Sequence, residues 1–92
     1  MDRAVFAITG SVQGVGFRWY VLQAARALGL NGEVRNRTDG AVVVEAEGAR
    51  DALEKLLETA REGPVMAMVT HVDVSWSEGA AQYREFRIGR TS

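Results

Sequence analysis

The feature that most narrows the folds open to this chain is a turn with two glycines one residue apart, Gly14 and Gly16. An apolar run, Ala4 to Ile8, precedes it, and a helical pattern, Trp19 to Leu28, follows. A strand that feeds straight into a helix sends that helix back over the sheet. The next strand in the same sheet then runs parallel to the first through a right-handed crossover. Glycine at both positions permits a tight path with backbone N–H groups turned inward and no Cβ in the way. Such N–H groups form an anion-binding nest, and the helix N-terminus adds partial positive charge. Arg18 places a permanent cation with a fork of donors at the same point. The combination predicts a small pocket for a tetrahedral oxyanion, phosphate above all. Taken alone, the same turn reads equally as a tight connection in a small α/β domain, with Arg18 an ordinary surface arginine.

The remaining periodicities fill in the fold. Ala4 to Gly10 reads as a strand with both parities fairly apolar, which suits a central position. Val21, Ala24, Ala25 and Leu28 form one helical stripe that Phe17 extends by a turn, and Gly29 is placed to end the helix. Trp19 and Tyr20, next to Arg18, read as packing residues, with contact to a ligand the alternative for either. From Gly32 to Arg37 the chain alternates, with Glu33, Arg35 and Arg37 on one face and Val34 and Asn36 on the other. Asp39-Gly40 signals a turn, and Ala41 to Glu47 returns as a strand. Leu53, Leu56, Leu57 and Ala60 mark a second amphipathic helix that Gly63-Pro64 stops. Met66 to Trp76 reads as a strand, and Glu85 to Ile88 as a short last one with Phe86 and Ile88 inward. The tail Arg90-Thr91-Ser92 is expected to fray.

The order strand, helix, strand, strand, helix, strand is the split βαβ arrangement of ferredoxin-like domains. The expected class is α+β, βαββαβ plus a short C-terminal strand, with a mixed, largely antiparallel sheet and two helices on one face. One domain is expected over residues 1–92. In this topology the first and second strands end at the same edge of the sheet, provided the third lies between them. The glycine turn leaves the first strand there, and Asn36 and Thr38 leave the second.

Composition removes several classes of function. A formal net charge of −1 argues against a general nucleic-acid binder. No apolar stretch reaches transmembrane length and no signal peptide opens the chain, so no membrane partner is expected. The chain has no cysteine, which excludes disulfides and thiol nucleophiles and fits the cytoplasm. Its one histidine, His71, reads as a solvated strand residue, and no spaced carboxylate cluster accompanies it, so no metal site is expected. No serine or threonine has a partnered base. What remains is oxyanion binding plus the orientation of water.

That chemistry suffices for an acyl phosphate. Its leaving group is a carboxylate with a pKa of about 4, which departs as the anion without a general acid. The phosphoryl transition state is loose, so the attacking water needs placing more than deprotonating. Charge builds on the phosphoryl oxygens, where Arg18 and the loop amides can meet it. An amide such as Asn36 both accepts from and donates to a water. Read alone, Asn36 is also a polar residue opening a hairpin.

The string Val12-Gln13-Gly14-Val15-Gly16-Phe17-Arg18, followed by Val34-Arg35-Asn36-Arg37-Thr38-Asp39-Gly40, closely resembles the two signature motifs of the acylphosphatase family. The resemblance runs from about Ala4 to Ile88. It implies the ferredoxin-like fold and metal- and cofactor-free hydrolysis of the carboxyl–phosphate bond. It also implies a phosphate-binding catalytic arginine at Arg18 and a water-positioning asparagine at Asn36. The backbone of Gln13, Gly14, Val15, Gly16 and Phe17 matches the phosphate cradle, and Thr38 a residue that helps hold the asparagine. An acyl phosphate is then the substrate, with inorganic phosphate as product and inhibitor, and the expected protein is a cytoplasmic monomer. Glu33 departs from the pattern, standing where relatives often carry an aromatic or apolar residue, and is expected near the site. The alternative is a non-catalytic ferredoxin-like module that binds anions or proteins.

Overall fold

The first strand, β1 (Asp2–Ser11), carries the core on one parity: Ala4, Phe6 and Ile8 are almost fully buried. The computed structural model describes every residue from Met1 to Ser92. Its further elements are α1 (Phe17–Ala27), β2 (Asn31–Asn36), β3 (Val42–Gly48), α2 (Arg50–Glu62), β4 (Met68–Glu78) and β5 (Phe86–Ile88). They form one five-stranded sheet in the order β4-β1-β3-β2-β5. The ferredoxin-like α+β class expected from the element order is the fold observed.

β1 pairs antiparallel with β3 on one side and β4 on the other, which makes it a central strand, with Ala4, Phe6 and Ile8 on the face beneath the helices and Val5 exposed on the other. β3 pairs antiparallel with β2 as well. Two strands each antiparallel to β3 are parallel to one another, so β1 and β2 end at one edge. Phe6 faces Val44 and Val74 across the two ladders, and Val34 faces Val44, building one continuous apolar layer. Both helices lie on that layer. α1 contributes Phe17, Val21, Leu22 and Ala25, and α2 contributes Leu53, Leu56 and Ala60, all in the same core. Gly29, with φ of 72°, closes α1. The N–H of Leu30 donates to Ala25 O (3.0 Å) and that of Gly29 to Arg26 O (3.1 Å), the paired bonds of a left-handed helix stop.

Several local expectations need correction. β4 begins at Met68 rather than Met66, because Val65 and Met66 stand almost free of contacts in the turn after Pro64. Ile88 is not inward: Phe86 fills the core, but Ile88 is 41% exposed. The tail does not fray. Ser92 N donates to Asn36 O (3.1 Å) and Thr38 N to Ser92 O (2.8 Å), continuing the parallel track of β5 along β2. Glu47 is buried on the sheet face away from the helices, beneath the β4–β5 loop. Its carboxylate accepts from Arg3 Nη1 (2.9 Å), Gln82 N (2.9 Å) and Tyr83 N (2.7 Å), so three donors offset its desolvation.

Candidate functional site

The turn after β1 and the end of β2 enclose a cavity of about 360 Å³. Gly14 and Gly16 have φ of 75° and 81°, the left-handed region that only glycine enters freely. A Cβ at either would meet nothing within 4 Å, so the backbone angle, not crowding, is what demands glycine there. Gly16 is the N-cap of α1 and offers no side-chain cap. The first bond of the helix is Tyr20 N to Gly16 O (3.0 Å), which leaves the amides of the opening turn free of helical partners. No acidic side chain occupies that turn. Its uncapped N-terminus therefore faces the cavity with positive partial charge.

Arg18 sits in this turn, half-buried, and lines the cavity. It takes part in none of the ion pairs of the chain. The other cations of the neighbouring motif are taken. Arg35 is held by Glu45 and, more loosely, Glu33, while Arg37 Nε donates to both carboxylate oxygens of Asp39 at 3.0 Å. That hydrogen bond, with the attraction between the charges, raises the pKa of Arg37 and lowers that of Asp39. Neither Arg35 nor Arg37 therefore lends free charge to the cavity. Glu33 bonds Arg87 (3.0 Å) on the opposite parity of β2 from Asn36 and does not line the cavity, so its expected place beside the site is not observed.

Asn36, the last residue of β2, projects on the parity of Val34 and reaches the cavity wall. Its side-chain oxygen is buried and has no hydrogen-bond partner. An unpaired buried acceptor is costly to fold around and marks a place where a donor from outside the chain belongs. Opposite it, Gly14, Gly16 and Arg18 present donors and positive charge. The cavity thus brings an acceptor and an anion cradle together from two motifs distant in sequence.

The expected cradle residues divide. Gly14, Gly16 and Phe17 line the cavity, whereas Gln13 and Val15 do not. Val15 packs against the core. Gln13 turns its amide away, and Nε2 donates to Arg37 O (2.8 Å) and Ala41 O (2.9 Å), latching the cradle loop to the β2–β3 turn beside Asn36. Thr38 lies exposed beyond β2, its hydroxyl forming no hydrogen bond, and it contacts the tail through its backbone N–H. Tyr20 is a packing residue as expected: its ring meets Phe17 edge-on and its hydroxyl donates to Thr59 O (3.2 Å). Trp19 is not, standing 60% exposed on the cavity rim with Ile88. Helical period already leaves Trp19 off the stripe of Phe17 and Val21, whereas Ile88 shares the parity of Phe86, so only the packing shows that nothing covers it. Three or more histidine, aspartate or glutamate side chains nowhere gather in metal-ligating proximity.

Comparison with known proteins agrees with this geometry. The acylphosphatase family model matches residues 4–88. An acylphosphatase of Salinibacter ruber is 53% identical over 83 residues, covering 90% of this chain and 87% of that one. One from Thermococcus kodakarensis is 49% identical over 76 residues, covering 83% and 84%. The crystal structure of acylphosphatase from Bacillus subtilis superposes with a TM-score of 0.93 at 36% identity, over 97% of this chain and 99% of the other. With the family model running through both motifs and the fold shared with a solved acylphosphatase, the chain belongs to the acylphosphatase family.

Proposed function

We propose that this chain, by its family a hydrolase acting on acyl phosphates, works by direct attack of water on phosphorus without a metal or cofactor. The observation that carries the mechanism is the unpartnered buried Oδ1 of Asn36, set across one small cavity from the glycine turn and Arg18. In the proposed complex the phosphoryl oxygens occupy the cradle, taking N–H donors of the Gly14–Phe17 backbone and the guanidinium of Arg18. Asn36 Oδ1 accepts a hydrogen bond from the attacking water and holds its oxygen toward phosphorus.

The water oxygen bonds to phosphorus as the bond from phosphorus to the acyl oxygen breaks. The electron pair of that bond leaves with the carboxylate. The proton lost by the water ends on the phosphate product or in solvent. A carboxylate leaving group with a pKa of about 4 needs no acid, so no histidine or carboxylic acid is required near the cavity. Arg18 and the amides stabilise the phosphoryl oxygens as charge redistributes, and their fixed placement avoids reorganisation at the moment of reaction. Gln13 acts from behind the cradle by holding the loop to the strand end that carries Asn36. Thr38 supports Asn36 through the backbone of Ser92, which accepts from Thr38 N and donates to Asn36 O.

Inorganic phosphate, the product, fits the same cradle and is proposed as a competitive inhibitor. The protein is proposed to act as one 92-residue domain and as a monomer, with acyl phosphates of the cytoplasm as substrates. None of its helices is long and apolar enough to cross a membrane. The competing view, a non-catalytic anion- or protein-binding module, is disfavoured by family membership. The test is a spectrophotometric assay with benzoyl phosphate: hydrolysis well above the buffer rate is expected, and its absence in folded protein would remove the catalytic reading.

A further inference from the structure

The cavity has two chemically different walls. Its polar wall is the glycine turn, Arg18 and Asn36, which the proposed mechanism uses. Its other wall is apolar, with Val12 and Phe17 buried beneath and Trp19 and Ile88 open to solvent at the rim. Seven large apolar side chains of the chain are exposed, and of these only Trp19 and Ile88 line the cavity. Neither is covered. The other tryptophan, Trp76, has the Arg50 guanidinium 3.6 Å from its ring centroid, whereas the Trp19 ring has no aromatic or cationic neighbour and its indole N–H no acceptor.

The backbone explains how Ile88 arrives there. β5 pairs in parallel with β2, placing Ile88 beside Val34, two residues before Asn36 and on the same face. Phe86, two pairs earlier on the same face, is sealed beneath α1, whose Arg26 donates to the Phe86 carbonyl (3.0 Å). Ile88 lies nearer the open end, where Trp19 on the first turn of α1 faces the same cavity.

We propose that Trp19 and Ile88 form the acyl subsite, which selects acyl phosphates with an aromatic or short branched hydrocarbon group over acetyl or carbamoyl phosphate. The proposal rests on the catalytic reading above for its substrate but not for its binding chemistry. A bound acyl phosphate has only two parts, and with its phosphoryl group in the cradle the acyl group must lie along whatever wall adjoins it. That wall is an indole face and an isoleucine. Both lose unfavourable hydration when an apolar group covers them, and an aromatic acyl group gains an offset or edge contact with the indole. The size of the cavity, about 360 Å³, lies near the lower end for small-molecule sites and suits one ring rather than a long acyl chain.

The experiment compares kcat/KM for benzoyl and acetyl phosphate in the parent, Trp19→Ala, Trp19→Phe and Ile88→Thr. The ratio of benzoyl to acetyl should fall at least about tenfold in Trp19→Ala and several-fold in Ile88→Thr, and recover in Trp19→Phe. Tenfold is about 1.4 kcal/mol, the transfer free energy of roughly 55 Å² of apolar surface. A ratio within about twofold of the parent in both Trp19→Ala and Ile88→Thr would overturn the proposal, whether or not both rates fall together. Dissociation constants for phenylphosphonate and methylphosphonate give the same comparison without turnover. If the parent hydrolyses neither acyl phosphate, the catalytic reading fails and the phosphonates decide. Tighter phenylphosphonate binding that needs Trp19 upholds the subsite, and equal binding of the two overturns it.

Discussion

Replacing Asn36 with alanine separates the needs of the fold from those of the reaction. The Asn36 side-chain oxygen is buried and no donor of the chain meets it, so only water in the cavity can offset its desolvation. Leaving such a group unpaired costs about 1–3 kcal/mol, and removing it returns part of that. Truncation at the cavity wall opens space that water can enter, so the packing loss is small. Asn36→Ala should therefore be as stable as the parent or more so, with a gain of up to about 1 kcal/mol. In a domain of this size that raises the melting temperature by roughly 4–8 °C. Turnover moves the other way. Losing the group that holds the water should lower kcat at least about a hundredfold, or about 2.7 kcal/mol of barrier, the scale of one positioned electrostatic contact. Asn36→Asp keeps the shape but faces the phosphoryl group with a carboxylate. It should lose rate similarly and also weaken phosphate inhibition, which Asn36→Ala should not. Thermal melting by circular dichroism and benzoyl phosphate kinetics on the same samples supply both numbers. Turnover near the parent's in folded Asn36→Ala would refute the water-holding role. A large fall in melting temperature would refute the claim that the acceptor is unpaired at the fold's expense.

Three further outcomes follow from the same structure. Arg18→Lys keeps a positive charge but loses the planar fork, so kcat/KM for benzoyl phosphate should fall by at least about tenfold, with Arg18→Ala lower still; parity of either with the parent would remove Arg18 from the mechanism. Glu47→Ala leaves Arg3 and two loop amides without their carboxylate, so urea unfolding should show a loss of about 2–3 kcal/mol, with kcat per folded molecule within about twofold of the parent. Burial of the Tyr20 phenol, with the Glu62 carboxylate nearby, raises its pKa above 10.0. The folded state thus favours the protonated phenol, whose contribution is complete below 10.0 and lost as pH rises through the folded value. Stability measured by urea from neutral to strongly alkaline pH should fall less steeply above that point in Tyr20→Phe, and identical profiles would contradict this.

The sequence made the scaffold legible wherever a side chain's surroundings follow from local period. The apolar parity of Val42, Val44 and Ala46, the stripe through Val21 and Ala25, and Gly29 at the helix stop all report on a neighbour one turn or one pleat away. The polar half of the cavity was legible too, because Gly14, Gly16, Arg18 and Asn36 belong to two short motifs that the crossover brings to one edge. What was not legible depends on contacts between distant segments. Ile88 shares its parity with the buried Phe86, so alternation alone put it inside; only the reach of α1 leaves it bare. Glu47 shares a strand face with Val43 and Glu45, and nothing local shows that the Gln82–Tyr83 loop lies across it. Ser92 looked free because the bonds that hold it run to Asn36 and Thr38, far back in the chain. Gln13 sat within the cradle motif, yet its amide serves the hairpin turn behind the loop.

Attack of water at phosphorus, arranged by Arg18, Asn36 and the cradle amides without a metal, is the central claim, and the fate of the water oxygen tests it most directly. Benzoyl phosphate is hydrolysed in water enriched in the heavy oxygen isotope, after exhaustive chelation of the protein, and both products are weighed by mass spectrometry. Turnover should be undiminished, with the heavy oxygen in inorganic phosphate and none above background in benzoate. Heavy oxygen in benzoate, or turnover that returns only when a divalent metal is added, would contradict it.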